Sequence, residues 1–403
     1  MTTVFDLNLR HLRALSTIVA QGSMSAAANA VGLSQPALTQ GLAKLERSIG
    51  VELFERRSDG VSPTPAGLAL AARVDTAFDL LAQTARTALR ARVRGFGRPE
   101  TRMTATQMNA FLQLFDAGSF VDAARATGLS VPAIHRAVRD LEQICGVALV
   151  ERRGRGVTPT AAGRQLTRGL RLAASEIAAG LSEVAGEAGQ PGRIAIGAMP
   201  LSRALVLPHA LGEFLRRKPN VAVEVFEGSW RDLVEPLRDG VIDLMIGALR
   251  DEAPVGLEQR PLFEDRLVVV ARAGHPLTRT GAPSLQDLAR YGWVVGQAGS
   301  PLRTRWEAVF RSCPAPPSPL ECGSVMVIRG VLMDSDLLTL LSPDQIALEV
   351  RSGLLAAMPL PSGGAVRTIG ITTRSNWRPT DVQQRFLDHL VTAVNATRFP
   401  KNQ

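Results

Sequence analysis

Four polar side chains share one face of a helix that the sequence predicts near residue 40. They are Gln35, Thr39, Gln40 and Lys44. A glutamine amide can pair with the edge of adenine, and a lysine can reach phosphate oxygens. The opposite face is apolar, with residues recurring at intervals of four, three and four: Leu38, Leu42, Leu45 and Ile49. This pattern predicts a helix that packs on a core and presents groups able to contact nucleic acid.

The residues before this helix predict a shorter helix and a tight turn. Ala27 and Ala28 are small enough for close helix packing, and Gly32 marks the turn. Ser34 can cap the next helix, and Pro36 falls in its first turn, where a backbone N–H is not needed. A helix, a glycine turn and a capped helix with a polar outer face are typical of a helix-turn-helix, which lays its second helix in the DNA major groove.

A short hairpin is predicted after this motif. Residues 51–54 have the pattern of a strand, residues 55–60 that of a turn, and Val61 begins the return. Arg56 and Arg57 lie beside the turn, where arginines can reach phosphates or a minor groove. The hairpin therefore predicts a wing that adds contacts with the DNA backbone.

The whole segment from Gly22 to Gly67 occurs a second time, starting at Gly118. The two copies align without a gap, and roughly half of the paired positions are identical, which marks an internal repeat. In the second copy Val131 replaces Gln35, so we expect the first copy to read DNA sequence better. The positively charged or polar candidates of the second copy are Ser130, His135, Arg136, Arg139, Arg152 and Arg153.

The first copy reads SQPALTQGLAKLE, then GVELFERR and SPTPAG. These blocks at fixed spacing resemble the winged helix of LysR-type transcriptional regulators. Most of that family carry one such domain, so the duplication is a departure. The resemblance implies double-stranded DNA as a partner, and it implies these contacts in the first copy: Ser34, Gln35, Pro36, Thr39, Gln40, Lys44, Arg56 and Arg57.

Composition and other motifs favour a binding protein over an enzyme. The net charge of +9 in 403 residues fits nucleic acid without demanding it. The five histidines and three cysteines are scattered without metal-ligand spacing, and we find no nucleophile elbow, phosphate-binding loop or dinucleotide fingerprint. We therefore expect no catalysis, no metal and no cofactor. No apolar run has the length of a membrane span, and no signal peptide is recognised, so we expect a cytoplasmic protein without membrane contact.

The order of predicted elements gives a multi-domain chain. The expected fold is two winged helix-turn-helix domains, rich in α-helix, followed by a two-lobed α/β effector domain. Long apolar-striped helices follow each winged domain and either pack on their own domain or pair with another subunit. The family resemblance favours pairing, so we expect a homo-oligomer, a dimer or tetramer. The expected boundaries are 8–67 for the first winged domain, 68–98 for its linker helix, 103–163 for the second winged domain, 164–190 for its linker helix and 191–400 for the effector domain.

From Arg193 the pattern changes to alternating strands and helices, which predicts parallel sheets with covering helices. Two α/β lobes joined by two crossings resemble the effector domain of the same family, which is similar to periplasmic solute-binding proteins. We expect lobe I to span about 191–270 and 355–400, and lobe II about 271–354.

Ligands of open α/β sheets bind outside the carboxyl ends of the strands. Four turns that begin helices there have polar residues, whose hydroxyls and N–H groups can hold a carboxylate or a sugar oxygen. The serines can equally be plain helix caps. The candidate effector residues are Met199, Pro200, Leu201, Ser202, Ser229, Trp230, Gln297, Ser300, Ser324 and Val325.

We therefore expect a sequence-specific transcription regulator controlled by a small molecule, either an organic acid or a sugar-derived metabolite. One alternative is a small-molecule binding protein that carries helical extensions. Another is an architectural DNA-binding protein that uses tandem winged domains without sensing a ligand.

Overall fold

The computed structural model forms two compact units, Met1–Gly192 with Asp239–Val241 and Arg193–Arg238 with Ile242–Gln403. None of the helices in the described part of the chain is long and apolar enough to cross a membrane. The described residues are 3–57, 60–89, 98–154, 156–185, 192–200, 202, 206–279, 281–361 and 366–398.

The amino-terminal unit consists of two copies of one arrangement, three helices, a hairpin and a long helix. The first repeat contains α1 (Leu9–Gln21), α2 (Met24–Val31), α3 (Gln35–Ile49), β1 (Phe54–Arg57), β2 (Gly60–Pro63) and α4 (Pro65–Leu89). The second contains α5 (Ala105–Ala117), α6 (Phe120–Thr127), α7 (Val131–Cys145), β3 (Val150–Arg153), β4 (Gly156–Pro159) and α8 (Ala161–Ala185).

The turn between the second and third helices of each repeat has the chemistry that the sequence predicts. Gly32 ends α2 with φ of 67°, and Gly128 ends α6 with φ of 70°, a left-handed conformation that favours glycine. Ser34 and Ser130 then cap α3 and α7, because their hydroxyls accept from the N–H of the third following residue. The helix-turn-helix geometry is therefore encoded locally in both repeats.

The hairpin begins later than the sequence indicated. The first strand is Phe54–Arg57, so Arg56 and Arg57 belong to a strand and not to the turn. The cause is Glu46 of α3, whose Oε1 accepts from the N–H groups of Leu53 at 2.8 Å and Phe54 at 3.2 Å. Glu142 of α7 makes the same bonds to Leu149 and Val150. In each repeat a glutamate of the third helix thus binds the residue before the hairpin and the first residue of its first strand.

The long helices α4 and α8 pack against each other within one chain and run antiparallel. Arg73 of α4 contacts Glu183 near the end of α8, whereas Thr84, further along α4, lies beside Gly169 near its start. Residues of both repeats form one continuous core. The apolar stripes that we expected to join two subunits are thus covered inside the chain, and they give no argument for self-association.

Each repeat also extends a short amino-terminal segment onto the other repeat. The 3-10 turn Val4–Asp6 precedes the first repeat and packs on α5 and α8. The equivalent turn Pro99–Thr101 precedes the second repeat and packs on α4. Val4 and Pro99 are buried in these positions. The exchange is reciprocal, so the two repeats follow a pseudo-two-fold relationship.

The carboxy-terminal unit has two five-stranded sheets with helices around them. The first sheet has the strand order β6-β5-β7-β14-β8 and the second β11-β10-β12-β9-β13. The strands are β5 (Arg193–Ala198), β6 (Ala222–Glu227), β7 (Leu244–Ala248), β8 (Leu257–Arg266), β9 (Val268–Arg272), β10 (Trp293–Val295), β11 (Leu320–Glu321), β12 (Leu338–Leu341), β13 (Leu355–Met358) and β14 (Val366–Arg374).

The helices of this unit are interspersed among its strands, and Ser300 caps the one that begins at Pro301. They are α9 (Val206–Arg217), α10 (Trp230–Arg238), α11 (Leu285–Ala289), α12 (Pro301–Val309), α13 (Val325–Met333), α14 (Ala347–Arg351) and α15 (Asp381–Arg398).

β13, which falls in the range expected for lobe I, lies in lobe II, and so does β9, which straddles the boundary expected at about 270. β9 pairs with β12 and β13, so the chain leaves the first sheet after Arg266 and returns to it at Val366. Lobe II therefore begins earlier and ends later in the chain than expected. The sequence could not show this, because β9 and β13 are as apolar as the strands of the first lobe and only antiparallel pairing assigns them to a sheet.

We expect Glu46→Ala to loosen the first hairpin, because two backbone N–H groups lose a charged acceptor. Hydrogen–deuterium exchange of residues 51–57 should show local opening made easier by about 1.5–3 kcal/mol. The matched control is Glu52→Ala, because Glu52 is exposed and close in sequence. Equal exchange in the parent and in Glu46→Ala would show that the carboxylate does not hold the hairpin.

Candidate functional site

The polar face predicted for α3 is exposed in the structure. Leu38, Leu42 and Leu45 are buried under it. Gln35, Gln40 and Lys44 are exposed on the outer surface. Thr39, the fourth member of the face, is half-buried, and its hydroxyl donates to the Gln35 carbonyl at 3.0 Å. Ser34 and Pro36, also predicted to contact DNA, are exposed. Two amides and one ammonium group are thus free to meet a nucleic acid.

The equivalent face of α7 has different chemistry. Arg136 and Arg139 are exposed, whereas His135 is half-buried and stacks on Phe120 with ring centroids 3.6 Å apart. Val131 occupies the position of Gln35 and offers no hydrogen bond. Ser130 caps the helix, so its hydroxyl accepts from Ala133 at 3.3 Å. This face presents charge with little base-reading chemistry.

His11 lies beneath the recognition helix of the first repeat. Its ring packs against Gly41, where no side chain separates α1 from α3. Burial lowers the pKa of His11, and the charge of Lys44 lowers it further. A neutral imidazole therefore packs under the exposed Lys44. Sequence reasoning missed this contact, for which the only signal is a glycine inside a helix.

The four arginines predicted for the wings all have their backbones on the hairpin strands. Arg152 lies on β3 with its side chain exposed. The backbones of Arg56, Arg57 and Arg153 lie on the hairpin strands, and their side chains fall outside the described residues.

A cavity of about 460 Å³ lies between the two lobes of the carboxy-terminal unit. Its walls come from the ends of β5, β7 and β10 and from the starts of α10, α12 and α13, as expected for a cleft at the carboxyl ends of strands. Seven of the ten predicted effector residues line it: Met199, Pro200, Ser229, Trp230, Gln297, Ser300 and Val325.

Two of the predicted serines do not line the cavity. Ser202 is 2% exposed, and its hydroxyl donates to the Met199 carbonyl at 2.9 Å, so it stabilises a buried turn. Ser324 caps α13, where its hydroxyl accepts from the N–H of Val327. For these two serines the helix-cap or turn role takes precedence over ligand binding. Leu201 lies outside the described residues.

The serines that do line the cavity are also held by local bonds. The Ser229 hydroxyl and N–H both donate to the same oxygen of Asp232, and these bonds lower the pKa of that carboxyl. The Ser300 hydroxyl accepts from the Arg303 N–H at 3.2 Å and caps α12. Both side chains shape the wall more than they offer free donors.

The strongest charges of the cavity are arginines that sequence reasoning missed. Arg231, Arg250 and Arg367 line it. The Arg250 guanidinium lies over the Trp230 ring at 4.9 Å, and Arg231 reaches Gly299 on the opposite lobe. Within the described residues, neither Arg231 nor Arg250 lies within ion-pair distance of a carboxylate. The signal in the sequence was an arginine directly after Trp230 and another two residues after the end of β7.

Other charges of the cavity are already paired. Arg367 donates from Nε to Asp265 at 2.8 Å. Glu321 accepts from the Ala298 N–H at 3.2 Å and lies 3.9 Å from Arg303. The unpaired charge that faces the cavity is therefore positive. Its other lining residues are Ala248, Gly296, Ala298, Gly299, Pro301, Leu302, Cys322, Gly323, Ile328, Leu341 and Gln345.

No group of three or more histidine, cysteine or acidic side chains in the described ranges is arranged to hold a metal ion. Cys145 is buried at the end of α7, and burial raises its pKa to about 11. Such a thiol is protonated at neutral pH and belongs to the core.

Comparison with known proteins identifies both halves of the chain. The family model described as "LysR substrate binding domain" matches residues 187–395. The model of the bacterial regulatory helix-turn-helix protein of the lysR family matches twice, at residues 9–68 and 105–164. These matches coincide with the cavity-bearing unit and with the two repeats.

Two relatives have names that agree with these matches. The HTH-type transcriptional regulator GalR of Pseudomonas putida is 34% identical over 375 residues, which covers 91% of this chain and 92% of that protein. The HTH-type transcriptional regulator PcaQ of Agrobacterium fabrum is 28% identical over 285 residues, covering 70% and 92%. Both are named as transcriptional regulators, which supports the prediction that the chain is not an enzyme.

Solved structures show the same fold. A full-length OxyR variant from Pseudomonas aeruginosa has a TM-score of 0.57 at 22% identity, covering 73% of this chain and 95% of that one. ArgP from Mycobacterium tuberculosis has a TM-score of 0.58 at 18% identity, covering 72% and 96%. The chain therefore belongs to the LysR family of transcriptional regulators, with a helix-turn-helix DNA-binding region and a two-lobed effector-binding domain.

Proposed function

We propose that this regulator responds to a small organic acid, bound between its two lobes, and contacts DNA with both repeats as tandem winged helix-turn-helix domains. The carrying observation is the cavity between the lobes, where Arg231 and Arg250 have no carboxylate partner among the described residues. Since the ligand would control transcription, we place its action in the cytoplasm, with DNA. Self-association as a dimer or tetramer would use surfaces other than the stripes of α4 and α8.

The chemistry of the cavity supports an anion with an apolar part. A carboxylate placed near Arg250 would be neutralised, and the amino terminus of α12 adds partial positive charge. Trp230, Met199 and Leu341 give the apolar wall against which a ring or short chain can pack. A neutral sugar would leave two arginines uncompensated, so we favour the acid over the sugar-derived metabolite. The ligand-binding lobes then work as a periplasmic-binding-protein-like clamp.

A ligand between the lobes can also act as a switch. The chain passes from one lobe to the other between β8 and β9 and returns between β13 and β14, so the lobes can close as in a hinged pair. Only a ligand that binds the closed form more tightly shifts the equilibrium, typically by about 1–3 kcal/mol of coupling. Arg367 supports this role, because it lines the cavity and is bound to Asp265, which also accepts from Ser342 of the other lobe at 2.7 Å.

The two repeats are suited to different parts of DNA recognition. Gln35 and Gln40 are exposed amides on α3 and can read base edges, whereas Arg136 and Arg139 on α7 can neutralise phosphates. Lys44 and Arg152 supply further positive charge. We therefore assign sequence reading chiefly to the first repeat.

Gln35→Ala should weaken binding to the specific operator by roughly 1–3 kcal/mol, the contribution of one base contact. Binding to random DNA should change little, because phosphate contacts remain. The matched control is Val131→Ala at the same position of the second repeat. If Val131→Ala alters operator choice while Gln35→Ala has no effect in a gel-shift titration, the assignment is reversed.

Arg250→Gln should weaken binding of a carboxylate effector by about 1.5–3 kcal/mol, roughly ten- to hundredfold, because a charged hydrogen-bond donor is lost. A thermal-shift screen of organic acids and their methyl esters provides the probe, and only the acids should stabilise the parent. Arg260→Gln is the control, because Arg260 is an exposed arginine of β8 outside the cavity. Equal binding of acid and ester would contradict an anionic effector.

Cys322 lines the cavity and is half-buried, whereas Cys313 is half-buried outside it. A maleimide should modify Cys322 and Cys313 but leave the buried Cys145 unmodified in the native protein. An acid from the screen at ten times its Kd should slow modification of Cys322 roughly tenfold, because only about one cavity in ten is then free of ligand. Cys313 should react at an unchanged rate. Mass spectrometry of peptides measures all three, and equal protection of Cys313 and Cys322 would mean that the acid binds elsewhere.

A further inference from the structure

Two contacts between α4 and α8 are made by equivalent positions of the two repeats. Equivalent residues are 96 positions apart, since Gly22 corresponds to Gly118. Arg73 of α4 lies against Gly180 of α8, and Thr84 of α4 lies against Gly169 of α8. Gly169 is the equivalent of Arg73, and Gly180 is the equivalent of Thr84. The interface therefore contains one pseudo-symmetric contact twice, and both times the larger residue comes from α4 and the glycine from α8.

The glycines are required by the closeness of the helices. A Cβ on Gly180 would lie 2.9 Å from Leu70 Cδ1 and 3.0 Å from Arg73 Cβ. A Cβ on Gly169 would overlap the side chain of Thr84. Glycine in the middle of a helix is otherwise unfavourable, so its presence at both positions indicates a packing requirement.

The charges of the interface are equally one-sided. Arg73 is 2% exposed, and its guanidinium donates to Glu176 at 2.9 Å and to Glu183 at 3.2 Å. Both acids belong to α8. Their equivalents in α4 are Leu80 and Thr87, which cannot pair with a cation. The buried guanidinium is thus bound by two carboxylates of the unlike helix.

Pairing of like helices would lose both features. Two α4 helices in the same arrangement would place each Arg73 against Thr84 with no carboxylate at hand, leaving a buried charge unpaired. Two α8 helices would place glycine against glycine, which leaves space where side chains should pack, and four acids without a cation. The apolar stripes alone would not favour the α4–α8 pair over pairs of like helices, because residues such as Leu70 and its equivalent Leu166 are alike.

We propose that the α4–α8 interface selects the pairing of a first repeat with a second repeat and excludes pairing of like repeats. Each pair of repeats then presents one α3 and one α7 to the DNA, and the exposed side chains of these two helices differ in chemistry. The DNA partner that fits such a reader is an operator with two unlike half-sites instead of a palindrome. This second part rests on the proposed function of both repeats as DNA-binding domains.

An exchange of interface residues tests the pairing in the full chain. The half-exchange gives α8 the residues of α4 through Gly169→Arg, Glu176→Leu, Gly180→Thr and Glu183→Thr. The full exchange adds the reciprocal changes Arg73→Gly, Leu80→Glu, Thr84→Gly and Thr87→Glu. We expect the half-exchange to lower the Tm of the amino-terminal unit by roughly 6–20 °C and the full exchange to restore much of it.

This comparison distinguishes selective pairing from an effect of helix propensity alone. The half-exchange removes two glycines from a helix, so helix propensity alone predicts stabilisation. Circular dichroism follows the helical amino-terminal unit. All four tryptophans lie in the carboxy-terminal unit, so tryptophan fluorescence provides the internal control. A half-exchange variant that is as stable as the parent would overturn the selectivity.

If the exchanged chains do not fold, a cycle of milder variants tests whether Glu176 and Glu183 act as partners of Arg73. Glu176→Gln with Glu183→Gln leaves Arg73 charged and buried, whereas adding Arg73→Met removes the charge. We expect the triple variant to melt at a higher temperature than the double variant, because the acids matter chiefly as partners of Arg73. Additive losses of Tm would contradict the pairing.

The DNA part has its own measurement. Full-length protein selects a site from random DNA, and footprinting defines its two halves. Replacing either half-site by an inverted copy of the other should weaken binding roughly tenfold or more. A palindromised site bound as tightly as the selected one would overturn the unlike-half-site operator. Protection of one half only would show that the second repeat does not bind DNA, which refutes the proposed function there while the exchange variants still test the pairing.

Discussion

The amino-terminal unit depends on the burial of α4 against α8. Each helix has an apolar stripe along its length, and a helix that exposed such a stripe to water would have little stability of its own. The partner within the same chain covers the stripe, and the cores of both repeats merge into one. Because the helices are antiparallel, the two repeats are related by a pseudo-two-fold axis, and their positions are fixed by one shared core.

A buried guanidinium in this interface costs desolvation free energy, which Glu176 and Glu183 offset through hydrogen bonds. A leucine would pack there without that cost. The use of a charge is understandable if the interface must choose between two similar partners, because an unpaired buried charge penalises the wrong pairing far more than a poor apolar fit does. Gene duplication creates such similar partners, and divergence at a few positions separates them.

The carboxy-terminal unit uses charge in a different way. Its cavity exposes the guanidinium groups of Arg231 and Arg250, whereas Glu321 is engaged by the backbone and by Arg303. Positive charge that has no carboxylate partner among the described residues is available for a ligand. The serines around it are committed to helix caps and turns, so the arginines determine the class of ligand and the serines determine the shape of the wall.

The sequence by itself determined the elements that depend on local chemistry. The spacing of Leu38, Leu42 and Leu45 gave α3, and Gly32 with Ser34 gave the turn before it, because caps and periodicity act over a few residues. Seven of the residues that line the cavity were also found, since they follow predicted strands. Only the tertiary structure decided that α4 pairs with α8, that β9 belongs to lobe II, and that Ser202 points into the core while Arg250 faces the cavity. These outcomes depend on which surfaces meet, and residues far apart in sequence settle that by packing and charge.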